Sequence, residues 1–505
     1  MKRFFARIGR FFWSGGFLKF VLWTATIIVL FYAEEDWRGS RVWAATKATW
    51  EAKGETFDFA KFQPPPVPDA QNLGALPLFQ SSPAKDWRGR PVRDWLIIQK
   101  ALGGKTYDND FPSAGNWMRG DTPDMKKIVA RIAAEYAARL KAPPLSPDPL
   151  ERFETLCPFI ADLRREAAER PLCRLDTEDG SVFPVEQSYR LLESLMLLSK
   201  YLVVDALLQL DHGRSDLALA DLRIIATLRS GVARVPGLVS PGFAAAMTSL
   251  MNGGVHAGLV RHAWSDDQLA ELQRIESALD FLALYSFDLR AEAAASILDT
   301  PLMESDLGRR SYAQWAEDAT GGSLPWWFAG SPYTVFLWPR GWFQIDMAHV
   351  VDGVLDRLPT IDLAARQVRL EIGRQLREKA GLPGVLKPWN VRSLTFYGEG
   401  DPVYSFALGQ AWADEAIIAC ALERYRLAHQ VYPSTLDALV PGQIASVPHD
   451  VMTGQPFHYH VRPDGSFLLY SVGWLQKDEG GKITLRDDGF IDSQKSNWTW
   501  PSAKP

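Results

Sequence analysis

The residues with the clearest chemical potential lie near the end of the sequence. Residues 468–481 read LLYSVGWLQKDEGG, an apolar stretch that becomes the acidic, glycine-rich run Asp478, Glu479, Gly480, Gly481, with Asp487, Asp488 and Asp492 following. Carboxylates on a tight glycine turn supply the oxygen donors a hard cation needs, and the same composition also makes a solvated acidic turn. Just upstream, His458 and His460 stand two residues apart with His449 nearby. On a strand that spacing puts both imidazoles on one face, as zinc or another imidazole-bound metal would require. The alternating residues Phe457, Tyr459 and Val461 form the buried face in this reading, which turns both histidines to water beside Arg462.

Other motifs are weaker. Asp211 and His212 form a carboxylate–imidazole neighbour pair, but they fall at a helical hairpin turn, where polar residues are expected. GGKT at 103–106 resembles the end of a phosphate-binding loop, yet Gln99 replaces its first glycine and the helical LIIQKAL precedes it, so it reads as a helix C-cap. DTEDG at 176–180 lacks the glycine and the twelfth-position glutamate of an EF-hand. The sequence contains no HExxH, GxSxG or CxxC, and no nucleophile is nominated with its base. Cys157 and Cys173 could be bridged in an oxidising compartment, or could join Cys420 as small buried apolar residues.

These residues need elements to position them, and the N-terminus specifies the first. FFWSGGFLKFVLWTATIIVLFYA, residues 11–33, carries Lys19 as its only charge. At 1.5 Å per residue it reaches about 35 Å, enough to span a bilayer. Lys2, Arg3, Arg7 and Arg10 precede it while Glu34, Glu35 and Asp36 follow, so the positive-inside rule places residues 1–10 in the cytoplasm and the bulk of the chain outside, on the inner (cytoplasmic) membrane. Bulky Phe31 occupies the position where a signal peptidase site wants a small residue, which favours an uncleaved signal anchor. No later segment approaches 18 consecutive apolar residues, so one span is expected.

Across 505 residues, 47% apolar and 23% charged composition predicts two or three domains with substantial cores. A net charge of -5 with scattered Lys and Arg excludes nucleic acid as the expected partner. The 19 tryptophans concentrate near the N-terminus and between Trp326 and Trp342, a bias of chains that meet a membrane interface. The expected organisation is a basic tip and anchor at 1–33, a stalk helix (about 37–53, ended by Gly54) and a proline-rich spacer within 34–120, and a helical domain at 121–320. An aromatic, proline-rich loop at 321–345, further helices at 346–401 and a C-terminal domain at 402–505 follow. Helix starts are read at Thr122, Ser215 and Ser265, the last with Gln268 as a capping box, and Gly213 and Gly231 punctuate successive helices. The eight aromatics of 323–343 read as a loop packed on the helical domain, a segment dipping into the outer membrane face, or a stacking surface for a ligand such as a sugar. The fold class is mainly α: a transmembrane helix, an irregular helical bundle or solenoid, and a small C-terminal α+β domain. In that domain a helix over about 403–429 precedes a short helix capped by Ser434 and Asp437 and an antiparallel hairpin around Asp464 and Gly465.

Tyr432-Pro433, Leu436, Leu439, Pro448, Asp450 and the run Gly454-Gln455-Pro456-Phe457-His458-Tyr459 stand in the order Ser471, Gly473, Gly480-Gly481 and Asn497-Trp498 then complete. This part of about 95 residues resembles the globular head of the major type II secretion pseudopilin. The resemblance implies a calcium loop after the sheet. Leu475-Gln476 occupy the family's Asp-Gly, leaving Asp478, Glu479, Asp487, Asp488 and Asp492 as the implied ligands. At the N-terminus Gly16-Phe17 fits a prepilin cleavage site, while Val21 stands where the family has Glu. The whole chain is also similar to membrane-anchored envelope proteins of planctomycete and verrucomicrobial type, through DWRG at 36–39, PPPVPD at 64–69, ACALERYRLAH at 419–429, PHD at 448–450 and LYSVGW at 469–474. That likeness implies location and architecture but no activity. The expectation is a single-pass, non-enzymatic scaffold or interaction protein of the cell envelope with a protein partner there. The alternatives are an accessory component of a type II secretion or pilus-like system, and an envelope hydrolase or glycan-binding protein.

Overall fold

A computed structural model of the chain describes residues 15–79, 81–85, 91–93, 116–120, 123–137, 145–175, 185–303, 337–380, 402–487 and 489–501. Its α-helices are α1 (Gly15–Ala52), α2 (Met125–Ala137), α3 (Pro149–Leu156), α4 (Phe159–Glu169), α5 (Val185–Asp211), α6 (Ser215–Ala233), α7 (Ser240–Val260), α8 (Asp266–Ser277), α9 (Phe281–Met303), α10 (Arg340–Leu355), α11 (Leu370–Ala380) and α12 (Val403–His429). The strands are β1 (Ser81–Lys85), β2 (Pro91–Arg93), β3 (Ile361–Asp362), β4 (Gln367–Val368), β5 (His458–Val461), β6 (Phe467–Ser471) and β7 (Trp498–Trp500). β1 pairs with β2, β3 with β4, and β5-β6-β7 form a three-stranded sheet, all antiparallel. The chain is thus mainly helical, with a long apolar N-terminal helix and a small antiparallel sheet, β5-β6-β7, toward the C-terminus, as the sequence predicts; the β1-β2 and β3-β4 pairs are additional.

Two compact units divide the chain. One comprises Met1–Asp58, Glu292–Leu358 and Gly373–Gly400, and the other Phe59–Ala291, Pro359–Ile372 and Asp401–Pro505. The C-terminal residues from 401 therefore share a unit with the helices from α2 to α8. The expectations for the basic tip, residues 103–106, 176–180 and 304–336, the helix start at Thr122, and Asp488 lie outside the described residues.

In the first unit α1 runs unbroken for 38 residues, about 57 Å. The expected anchor and stalk are one helix, because no proline separates them and the only glycine between Phe17 and Lys53, Gly39, is buried in a helix contact. The end falls where expected, with Gly54 in the left-handed region at φ 92°. The Lys53 ammonium sits 3.5 Å above the Trp50 ring.

In the second unit α5 and α6 form the expected hairpin around Gly213, whose φ of 69° suits glycine. Gly231 behaves differently from the helix break expected. It lies inside α6, where a Cβ would stand 2.5 Å from the Cys173 sulfur, so the glycine serves close packing. The capping box of α8 is present in full: Gln268 N donates to Ser265 Oγ at 3.3 Å and Ser265 N to Gln268 Oε1 at 2.9 Å. Ser434 and Asp437 do not cap. The short helix there is a 3₁₀ turn, Leu436–Leu439, that starts after Thr435 without a side-chain cap.

Helix α12 matches its expected bounds and is the core of this unit, buried almost continuously from Val403 to Glu423 against α7, α8 and the β5-β6-β7 sheet. The hairpin forms as read, with Val461 opposite Phe467. The third strand, β7, was not anticipated. It carries Trp498 and Trp500, the two largest fully buried side chains. Trp500 packs 4.8 Å from Trp117, whose indole nitrogen donates to Ser249 Oγ at 3.1 Å. Through Trp117 that contact ties β7 to α7.

Candidate functional site

The N-terminal helix is the first candidate. Among the described residues, Gly15–Ala52 is long and apolar enough to cross a membrane, and none of its most apolar window is buried. Leu18, Phe20, Val21, Leu22, Trp23, Ile27, Ile28, Val29, Leu30 and Phe31 are all exposed. Leaving ten such side chains in water would cost on the order of 10–20 kcal/mol, so this surface requires an apolar medium. Membrane anchors and signal sequences share that property.

Immediately after the apolar run, α1 docks on α10. Pro339 precedes α10 and has no side chain able to cap it. Asp36 of α1 does so instead, its Oδ1 accepting from Gly341 N at 2.9 Å, a carboxylate set at the positive end of a helix. Glu35 Oε2 accepts from the Trp342 indole at 2.8 Å, Ser40 Oγ donates to Gln344 Oε1 at 3.0 Å, and the Trp50 indole donates to Asp352 Oδ1 at 2.7 Å. The backbones touch at glycines: a Cβ on Gly39 would lie 2.3 Å from the Gly341 carbonyl oxygen, and one on Gly341 2.0 Å from that of Glu35. The acidic cluster that signals orientation in the sequence thus also builds a helix pair, with α10 parallel to α1.

The expected calcium loop is the second candidate, and the structure places its residues separately. Asp478 Oδ1 accepts from the Tyr470 hydroxyl and from Gly480 N, each at 2.9 Å, and the backbone amide, first, and that hydroxyl hold its carboxyl below the usual range. Glu479 pairs with Lys477 at 2.8 Å and Lys482 at 3.7 Å. Asp492 Oδ2 lies 3.3 Å from the Lys495 ammonium, and Asp487 is exposed. Among the described residues no three His, Cys, Asp or Glu side chains gather in a group able to hold a metal. The structure thus brings no three of Asp478, Glu479, Asp487 and Asp492 together, and the fifth expected ligand, Asp488, lies outside the described residues.

Asn497 holds the loop instead. Buried behind it, this side chain accepts from Glu479 N and Gly481 N, each at 3.1 Å, and donates to Val472 O and Lys477 O, each at 2.9 Å. All of its amide capacity is used. Gly481, at φ 78°, then lies over Leu468 and Tyr470, with a would-be Cβ 3.3 Å from each. Both faces of the central strand β6 are covered in this way, one by α12 and the other by the loop. Asp450 of PHD is likewise structural, its carboxylate accepting from Met452 N at 2.9 Å, Ser471 Oγ at 2.9 Å and Val472 N at 3.2 Å.

The histidines do not assemble into a metal site. His458 stacks on Tyr470 at 4.8 Å with its Nδ1 3.6 Å from Asp478, and His460 faces solvent. Phe457 is buried and Tyr459 half-buried as expected, but Val461, at the strand end, is exposed. Asp211 and His212 part company: Asp211 pairs with Arg261 at 2.7 Å, and His212 faces Asp148 at 3.3 Å. Cys157, Cys173 and Cys420 are buried and not joined in a disulfide, and burial, first, raises the Cys157 and Cys420 thiols above the usual thiol range.

Sequence reasoning missed two polar groups. Glu423, inside ALERYRLAH, accepts from Arg426 at 2.7 Å and Tyr432 at 2.9 Å and bonds His262 Nδ1 at 2.8 Å. The Glu423/Arg426 spacing of three was a legible signal, whereas His262 comes from a distant turn. The second is a pair of neighbouring buried carboxyls on α12 itself. Asp414 Oδ1 accepts from Gln410 Nε2 at 3.0 Å while its Oδ2 has no partner, and neither oxygen of Glu415 has one at hydrogen-bonding distance. Burial, first, and then Asp450 push the Glu415 carboxyl well above the carboxylate range, opposed by the nearby Ser471 amide. Burial with incomplete pairing disfavours the charged form of both groups.

No family model, no curated protein and no solved structure matches the chain.

Proposed function

We propose that the protein is a single-pass, membrane-anchored scaffold or interaction protein of the cell envelope, with the first ten residues in the cytoplasm and the bulk of the chain outside it. The observation that carries this reading is the unburied apolar surface of α1 together with its unbroken continuation into the α1–α10 pair. A cleavable signal peptide is removed from the fold that follows it. Here the same helix supplies Asp36, Gly39 and Trp50 to that fold, which supports an anchor that is kept. The side-chain chemistry described above is spent within the fold, consistent with a protein that binds more than it transforms.

Alkaline extraction of native membranes, with the N-terminus of the retained protein sequenced, tests the reading. Retention of residues 1–33 with the pellet is expected. A soluble chain starting at or beyond residue 34 would overturn it.

A further inference from the structure

We infer that the start of α10 is a second membrane contact: Leu337 reaches the bilayer where α1 leaves it, and Trp342 sits at that boundary. The inference rests on the anchored reading above. Its warrant is the register of the two helices. The first charge after the apolar run is Glu34, so a spanning α1 leaves the hydrocarbon beside residue 33. Tyr32 stands at that edge, and its hydroxyl donates to the Leu337 carbonyl. Helical side chains lean toward the N-terminus, here toward the bilayer, which places the Leu337 carbonyl no shallower than the Tyr32 backbone.

Direction agrees with depth. Because Gly341 meets Glu35 and Asp36 while Asp352 meets Trp50, α10 runs parallel to α1 and the residues just before it lie on its bilayer side. Leu337 is 68% exposed there. A backbone carbonyl at hydrocarbon depth is costly when unpaired, and the Tyr32 hydroxyl supplies the partner. Phe31 meets Trp342 edge-on at 6.2 Å, so the aromatic boundary is shared by both helices. Further along α1, exposed Trp37 carries the Arg41 guanidinium 4.7 Å above its ring, an aromatic and a cation suited to headgroup depth. The occupant of this surface is the headgroup–acyl boundary of the leaflet through which α1 exits.

Nitroxide labels on Leu337→Cys, Val29→Cys and Glu51→Cys test it, each in the full chain in nanodiscs of phosphatidylcholine and phosphatidylglycerol. The native thiols are buried and remain unlabelled. Val29 lies within the span, and Glu51 is exposed about 27 Å beyond residue 33. Collision rates with oxygen, which enters lipid, and with a water-soluble nickel chelate are compared. The expected result is a Leu337 oxygen-to-nickel ratio several-fold above that of Glu51 and on the side of Val29. A Leu337 label that behaves like Glu51 while Val29 remains lipid-like overturns the inference and leaves the anchor standing. A Val29 label that behaves like Glu51 refutes the anchor, and the inference with it.

Discussion

Replacing Gly39 by alanine should weaken the α1–α10 pair, although helix propensity alone predicts the opposite. Alanine is favoured over glycine by about 1 kcal/mol in a helix interior. At Gly39, however, the new Cβ would meet Gly341 Cα and O at 2.3 Å, against the roughly 3.5–4.0 Å of an ordinary contact. The obstacles are backbone atoms, so the helices must separate by more than about 1 Å. Overpacking of this kind costs about 1–3 kcal/mol. Separation also stretches the bonds from Gly341 N to Asp36 and from the Trp342 indole to Glu35, each worth about 1.5–3 kcal/mol because the acceptor is charged. Partial loss of these bonds, less the propensity gain, leaves a net destabilisation of about 2–4 kcal/mol. Hydrogen exchange of the α10 amides in detergent or nanodiscs measures it, with protection expected to fall roughly 30- to 1,000-fold. Gly16→Ala, in the same helix with nothing within 4 Å of its Cβ, is the control and should not reduce protection. Unchanged or increased protection in Gly39→Ala would refute the close-packing argument.

Asn497→Ala removes four hydrogen bonds and leaves their backbone partners unpaired under the C-terminal loop. It should destabilise the second unit by about 2–4 kcal/mol in denaturant melts, with new proteolysis between residues 473 and 482. Millimolar calcium, or its removal by a chelator, should leave the melting midpoint unchanged, since Asp478, Glu479 and Asp492 already have local partners; a rise with calcium would support the metal reading. The Asp414 carboxyl is pushed up to about 7 by burial, with Arg366 and Gln410 opposing and Asp280 and Asp450 reinforcing. The folded chain therefore holds a proton that the unfolded chain releases above about pH 4. Stability from this group is full below that value and is lost as pH rises to about 7, by at most about 4 kcal/mol. Asp414→Asn should flatten that part of the stability–pH curve and stabilise the protein at pH 8; a slope equal to wild type would contradict the assignment.

What was legible in the sequence was mostly local. The unbroken apolar run of α1, the Ser265/Gln268 cap and the bounds of α12 depend on neighbours within a few turns, and so does the Asp464-Gly465 hairpin. Gly231 misleads because a glycine that permits close approach has the same letter as one that ends a helix. The pairing of Asp36 with the start of α10 joins residues some 305 positions apart, and nothing local to either marks the other. Strand β7 is three residues long, too short for alternation to appear. The acidic loop suggested a metal because composition reports oxygen donors without saying what already binds them. Asn497, sixteen to twenty positions further on, is what the sequence pattern could not connect to that loop.

The proposed function requires that α1 stay attached and in the membrane. Intact-mass measurement of the protein purified from alkaline-washed membranes tests it most directly, combined with labelling of Glu51→Cys by a membrane-impermeant maleimide on intact cells or spheroplasts. A chain that retains residues 1–33, remains in the pellet and is labelled from outside is expected. A mature chain beginning at or after residue 34, or a Glu51→Cys thiol reached only from the cytoplasmic side, would contradict it.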